Sequence, residues 1–190
     1  MKLPPTASQT SGPFLHLGLT LRNSLATLAG RHAQGERMRL CCRITDGDGR
    51  LVPDAVVEIW QANSLGKYQH PEDTQQKPDD PDCCGFGRLP VGEDGCCMFE
   101  TIKPGRVPGP GDGLQAPHFN VSIFARGLLQ RLVTRAYFAE DPGNGEDPIL
   151  ALVPAERRET LMARPDPSQP GNWLFEIRLS GKDETVFFDV

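Results

Sequence analysis

The stretch "QAPHFNVSIFARG", from Gln115 to Gly127, carries the pattern that decides the fold. Its second half alternates apolar and polar residues, and this period of two predicts a half-buried β-strand over Asn120–Ala125. Gly127 provides a turn, after which Leu132–Ala139 repeats the strand pattern. His118 stands just before the first strand, where it is either a metal ligand or an ordinary polar residue at a strand end.

Strand patterns of the same kind recur along the whole chain. They cover Arg37–Thr45, Ala55–Ala62, Cys96–Ile102, Asn172–Ser180 and Thr185–Val190. Turn signals rich in glycine and proline separate them, and the chain contains 20 glycines and 18 prolines. About seven short strands with such turns predict an all-β chain folded as a β-sandwich. The length of 190 residues fits a single domain over residues 1–190.

Short helices and long loops complete this expectation. Leucines at near-helical spacing predict a short helix over residues 21–33, and a second helical pattern begins with proline in Pro154–Ala163. Two polar, proline-broken segments, Asn63–Pro81 and Arg106–Ala116, are predicted to be long loops. Loops of this length in compact domains are often functional.

Charge and hydropathy exclude two classes of function. The net charge is −5, and binding to nucleic acid needs a clustered cationic face, so no nucleic-acid partner is expected. The sequence contains neither an apolar run of membrane-spanning length nor a secretory signal. We therefore expect no membrane association and a cytoplasmic location.

The six cysteines form three adjacent pairs, Cys41–Cys42, Cys83–Cys84 and Cys96–Cys97. Neighbours on a strand point to opposite faces, and no CxxC spacing is present, so the pattern favours reduced cysteines used as small apolar residues. A zinc site is the alternative.

Several stretches together resemble the intradiol ring-cleaving dioxygenases. They are "LVPDAVVEIWQANSLGKY" (Leu51–Tyr68), "EDGCCMFETIKPG" (Glu93–Gly105), "APHFNVSIFARG" (Ala116–Gly127) and "ETVFFDV" (Glu184–Val190). The N-terminal "SQTSGPFLHLGL" (Ser8–Leu19) and "RRETLMA" (Arg157–Ala163) narrow the resemblance to the α chain of a two-chain member of the family. The resemblance implies a β-sandwich of the intradiol type, with short helices and long loops.

The resemblance also implies a reaction. Members of the family open an aromatic ring between two hydroxyl-bearing carbons and insert both atoms of O2, with non-haem Fe(III) held by two tyrosines and two histidines. The implied substrate is 3,4-dihydroxybenzoate and the product is 3-carboxy-cis,cis-muconate. The implied partner is a related β chain that binds the Fe(III) in an αβ hetero-oligomer.

The four ligand positions of the family fall on Tyr68, Val107, His118 and Asn120. Val107 has no donor atom, and the Asn120 carbonyl is a neutral oxygen that compensates poorly for an imidazole. We therefore expect no metal and no catalytic residue in this chain, and we interpret the four as vestigial positions. His118 is then a hydrogen-bonded residue at a strand end.

The resemblance gives this chain a role in the substrate pocket of its partner. Arg126 of "FARG" is implied to bind the substrate carboxylate at the interface, where a guanidinium pairs with a carboxylate at two points. Thr10, Gly12 and Pro13 of "TSGP" line the same pocket by analogy, within an N-terminal arm over residues 1–20. The ordinary alternatives are a surface arginine after a strand and a plain turn. Arg131 and Arg135 are expected at exposed positions of a strand.

Two other functions remain open. The chain could belong to a related intradiol enzyme that acts on catechol or hydroxyquinol. It could also be a metal-free β-sandwich that serves as a binding or assembly module.

Overall fold

The computed structural model describes Gly12, residues 18–20 and residues 24–189. Ten strands and three 3-10 helices lie in this part of the chain. The strands are β1 (Arg37–Thr45), β2 (Val56–Trp60), β3 (Phe86–Pro90), β4 (Cys96–Ile102), β5 (Val107–Pro108), β6 (Leu114–Gln115), β7 (His118–Phe124), β8 (Leu132–Phe138), β9 (Met162–Pro165) and β10 (Asn172–Arg178). The 3-10 helices are η1 (Pro142–Glu146), η2 (Leu150–Leu152) and η3 (Ala155–Leu161).

Eight of these strands form one sheet in the order β3-β2-β7-β8-β9-β10-β1-β4. Neighbours are antiparallel except for the β8–β9 and β10–β1 pairs, which are parallel. The sheet folds over so that inward side chains from both halves meet in one core. Leu40 and Phe175 enter this core from one half, and Phe119 and Val121 enter it from the other. The predicted all-β sandwich is therefore confirmed.

Alternation predicted the half-buried strands well. β1 and β4 have the predicted bounds, and buried and more exposed residues alternate along β1. The strands expected around Gly127 and near residue 172 are also confirmed, with shifts of one or two residues at their ends. Gly127, in the turn after β7, has a φ of 84°, which glycine adopts without strain because it lacks a Cβ.

The predicted helix over residues 21–33 is wrong within residues 24–33. Leu25 pairs with Arg88 of β3, and Thr27 pairs with Glu100 of β4. The Leu25 amide donates to the Arg88 carbonyl at 2.8 Å, and the Leu28 amide donates to the Glu100 carbonyl at 2.9 Å. The segment is extended because the edge strands β3 and β4 offer its backbone partners that lie far away in sequence.

The predicted C-terminal strand is wrong within residues 185–189. The Thr185 amide donates to the carbonyl of Arg178, and the Phe188 amide donates to the carbonyl of Val133, at 3.0 and 2.8 Å. The Val186 amide donates to the Thr160 hydroxyl oxygen at 3.2 Å. Since these partners belong to different elements, the segment is extended without forming a ladder. The sequence pattern did not reveal β3 and β9, nor the short β5–β6 pair inside the predicted loop Arg106–Ala116.

The cysteines behave as small apolar residues. All six are free, and Cys42, Cys83 and Cys97 are buried. Burial raises the pKa of Cys83 to about 11, and burial with a hydrogen bond to Cys96 raises that of Cys41 to about 12, so both stay thiols at neutral pH. Within the described residues, no three or more His, Cys, Asp or Glu side chains come together as a metal site. In the same part of the chain, no helix is long and apolar enough to cross a membrane.

Candidate functional site

The vestigial positions come together at one end of β7. In the β7–β8 register, His118 faces Tyr137 and Asn120 faces Arg135. The Asn120 amide nitrogen donates to the Tyr68 hydroxyl oxygen at 3.2 Å. Tyr68 and Val107 line one cavity of about 420 Å³. Because β2, β7 and β8 are neighbours in the sheet, Tyr68 after β2 and Asn120 on β7 lie close together although they are about 50 positions apart in sequence.

The loop after β2 places Tyr68. The Asn63 side-chain oxygen accepts from the backbone amides of Leu65 and Lys67, both at 3.0 Å, and fixes the start of the loop. The Tyr68 amide donates to the Asp73 carboxylate at 2.7 Å. The Tyr68 ring stacks on Trp60 with centroids 5.8 Å apart and planes within 8°. Burial raises the pKa of the Tyr68 phenol, so the side chain is a neutral hydroxyl at neutral pH.

His118 is fixed as a neutral, buried ring. Its side chain is 3% exposed, and its Nδ1 lies 2.7 Å from the Ala116 carbonyl oxygen. A carbonyl only accepts, so Nδ1 carries the proton and Nε2 keeps the lone pair. Burial lowers the pKa of His118 to about 4, and the charge of Arg135 contributes to this shift.

The other two positions offer no anionic or imidazole ligand. Val107 is 3% exposed and pairs with Gln115 across the β5–β6 hairpin. Asn120 carries a neutral amide, and its nitrogen is engaged with Tyr68. Tyr137 is fully buried, and burial raises its pKa to about 12.

The predicted exposure of Arg135 is wrong. Its Nη1 donates to the Gln115 side-chain oxygen at 2.5 Å and to the Tyr137 hydroxyl oxygen at 3.3 Å. The guanidinium carbon also lies 5.9 Å from the centroid of the Phe188 ring. Arg135 and Tyr137 stand two residues apart on β8, so both project from the face that carries His118 and Asn120 on β7. Only the β7–β8 register reveals that the Arg135 side chain points into the pocket. Arg131 is exposed, as expected.

The residues present do not fit a ferric ion in this chain. Two of the four family positions lack an oxygen anion or an imidazole, and the guanidinium of Arg135 already places a positive charge beside His118 and Tyr137. Fe(III) is a hard, highly charged ion that needs anionic oxygen donors such as tyrosinate.

Arg126 lies at the opposite end of β7. Its side chain is 77% exposed, and its Nε donates to the carboxylate of Asp54. Arg126 follows His118 by eight positions, and the strand between them, His118–Phe124, spans about 20 Å. The structure therefore does not bring Arg126 into the pocket of the vestigial positions. Gly12 is exposed, and Thr10 and Pro13 lie outside the described residues.

This fold and this set of positions define a family. Residues 10–181 match a family described as "Dioxygenase". The chain belongs to the intradiol ring-cleaving dioxygenases, an iron-dependent family of oxidoreductases, and the resemblance expected from the sequence is confirmed.

Both chains of one two-chain enzyme are among its relatives. The chain is 40% identical over 201 residues to the protocatechuate 3,4-dioxygenase alpha chain of Burkholderia cepacia. The aligned region covers 99% of this chain and 98% of the relative. It is 38% identical over 158 residues to the protocatechuate 3,4-dioxygenase beta chain of Burkholderia cepacia. This aligned region covers 80% of this chain and 67% of the relative.

A solved structure agrees with the fold. Catechol 1,2-dioxygenase from Acinetobacter sp. ADP1 superimposes with a TM-score of 0.60 at 24% identity, over 80% of this chain and 55% of that one. At this identity the similarity supports the architecture alone.

Proposed function

We propose that this chain is the α subunit of a protocatechuate 3,4-dioxygenase. The enzyme cleaves 3,4-dihydroxybenzoate with O2 between its two hydroxyl-bearing carbons and yields 3-carboxy-cis,cis-muconate. The observation that carries the proposal is the end-to-end similarity to an alpha chain of that enzyme. The match to a beta chain covers a smaller share of both proteins, 80% of this chain and 67% of the relative, and this supports the α assignment. A cytoplasmic location remains the prediction from the sequence.

The iron of the enzyme is proposed to lie in the partner β chain. This chain retains only Tyr68 and His118 at the four ligand positions, and both hold hydrogen bonds within the chain, Tyr68 with the Asn120 amide and His118 with the Ala116 carbonyl. The related β chain is therefore the expected holder of Fe(III) in an αβ hetero-oligomer. The share of this chain in the reaction is to bind and orient the aromatic substrate and to exclude water.

Arg126 is the proposed substrate-binding residue of this chain. Its guanidinium lies in the turn after β7, exposed and available to a ligand at a subunit interface. A substrate carboxylate that leaves water needs a charged or hydrogen-bonding partner, and guanidinium supplies two parallel donors. Thr10, Gly12 and Pro13, in an arm over residues 1–20, are proposed to line the same pocket within the single domain 1–190.

The experiment replaces this cation in the assembled enzyme. The chain is coexpressed with a β chain, and the kcat/KM of Arg126→Leu is measured for 3,4-dihydroxybenzoate and for catechol, which has no carboxylate. A charged hydrogen bond contributes about 1.5–3 kcal/mol, so the carboxylated substrate should lose about 10- to 100-fold. Catechol turnover should change by less than about 3-fold, because it makes no such pair.

Arg50→Leu is the matched control. Arg50 is also an exposed arginine in a turn, paired with Asp48 at 3.2 Å, and its side chain is 78% exposed. It should leave both substrates unaffected. An equal and small effect of Arg126→Leu on both substrates would contradict the proposal and favour an enzyme for uncharged catechols. Failure to assemble with any intradiol β chain would favour the binding module.

A further inference from the structure

The side chain of Arg135 lies next to the vestigial positions of β7. Arg135 faces Asn120 across the β7–β8 pair, and Tyr137 on the same face of β8 stands opposite His118. The guanidinium therefore lies beside the buried Tyr137, on the same sheet face as two of the four ligand positions of the family, His118 and Asn120.

The arginine is held in this place from three sides. Gln115 of β6 accepts from its Nη1 at 2.5 Å, and the Tyr137 hydroxyl accepts from the same nitrogen at 3.3 Å. The Phe188 ring lies 5.9 Å from the guanidinium carbon. Long arginine side chains usually extend their charge into water, so contacts with β6, with its own strand and with the C-terminal segment indicate a role inside the pocket.

Asp147 supplies a nearby counter-charge. Its carboxylate is 1% exposed and accepts from the backbone amides of Ala116, Ile149 and Leu150 at 2.7–2.8 Å. The Ala116 carbonyl in turn accepts from His118, so the anion and the imidazole are attached to the same residue. The pocket thus contains a cation, an anion and neutral rings whose hydrogen bonds are made within the chain.

We propose that Arg135 provides, in this chain, the positive charge that a metal ion provides at the corresponding place in iron-bearing relatives. The guanidinium organises Gln115 and Tyr137 around itself and repels a trivalent ion. Two features then keep iron out of this chain. Two donor side chains are missing, and the positive charge of Arg135 repels the ion. This inference rests on the family membership and is independent of the proposed α-subunit function.

The inference gives a specific expectation for restoring the site. Val107→Tyr with Asn120→His returns the two absent ligand types, yet this double variant should remain without iron because Arg135 is still present. Adding Arg135→Gln removes the charge while keeping an amide donor for Gln115. Arg131→Gln is the matched control, since Arg131 precedes β8 and is exposed.

The test uses the full-length chain purified without a partner. The double variant, the triple variant with Arg135→Gln and the triple variant with Arg131→Gln are loaded with iron in air and desalted. Bound iron is measured by elemental analysis and by visible tyrosinate-to-iron charge-transfer absorption. Only the variant with Arg135→Gln should retain about one iron per chain, and the other two should retain less than about one tenth of this amount. Equal iron in all three variants, or none in any, would overturn the proposal.

A second measurement decides the matter if the triple variant does not fold. Arg135→Gln and Arg135→Lys are made singly, and thermal unfolding is followed by circular dichroism. If the charge organises the pocket, Arg135→Gln should lower Tm by about 5 °C, and Arg135→Lys should recover at least half of the loss. Equal Tm values for the two variants would overturn the proposal. Because no β chain or substrate is used, a failure here leaves the substrate role of Arg126 untouched.

Discussion

The two ends of β7 carry polar residues under opposite conditions. At its first residue, His118 is buried and held by Ala116, within a cluster that includes Arg135 and Tyr137. Beyond its last residue, Arg126 is exposed and contacts a single carboxylate. The comparison suggests that the ligand positions of the family serve packing in this chain, whereas the residue that we propose to serve the partner's substrate pocket stays at the surface.

The largest effect should come from the packed end. Phe119, which follows His118, is fully buried and lies 5.6 Å from Phe138 between ring centroids. Phe119→Ala should lower the free energy of unfolding by about 3–5 kcal/mol because a cavity remains in the core. The exposed Arg126→Leu should change it by less than about 0.5 kcal/mol. Urea unfolding of the two variants measures both values, and similar losses would contradict the comparison.

The pH dependence of stability should report the buried histidine. The pKa of His118 falls from 6.5 in the unfolded chain to about 4 in the fold. The unfolded state therefore binds more protons between these values, so the contribution is full above pH 6.5 and is lost as the pH falls towards 4.

His118→Asn tests this sign, since its amide can still donate to the Ala116 carbonyl. Between pH 7 and pH 4.5 the unmodified chain should lose about 2 kcal/mol more unfolding free energy than the variant. The exposed His70→Asn is the control and should behave like the unmodified chain. If His118→Asn shows the same pH dependence as the unmodified chain, the histidine is not the group that titrates.

The smallest loss predicted for the vestigial positions concerns Tyr68. Tyr68→Phe removes the acceptor of the Asn120 amide but keeps the stacking on Trp60. We expect a loss of about 1 kcal/mol in unfolding free energy, and unchanged kcat and iron content in the assembled enzyme. A loss of iron from that enzyme would show that Tyr68 is a ligand and would end the distinction between the two ends of β7.

Local pattern predicted the strands whose two faces differ in burial. β1 and β4 each have one face in the core, so alternation alone was sufficient to give their bounds. Residues 24–30 carry leucines at helical spacing, but the partners of their backbone lie on β3 and β4. Such pairing depends on the finished sheet and has no local signal.

The vestigial site was predictable in its members but not in its contacts. Tyr68, Val107, His118 and Asn120 follow from the resemblance, and the structure gathers them. The inward direction of Arg135 requires the register between β7 and β8, which one sequence read alone does not provide. A charged residue in a strand pattern was therefore assigned to the solvent when it belongs to the pocket.

The segment around Leu25 and Thr27 has a consequence for solubility. By lying between β3 and β4, it occupies backbone groups that would otherwise be free to recruit a strand from another molecule. A truncation that removes residues before 30 would uncover both borders of the sheet at once. Such a shortened chain should aggregate even though every strand from β1 onward is intact.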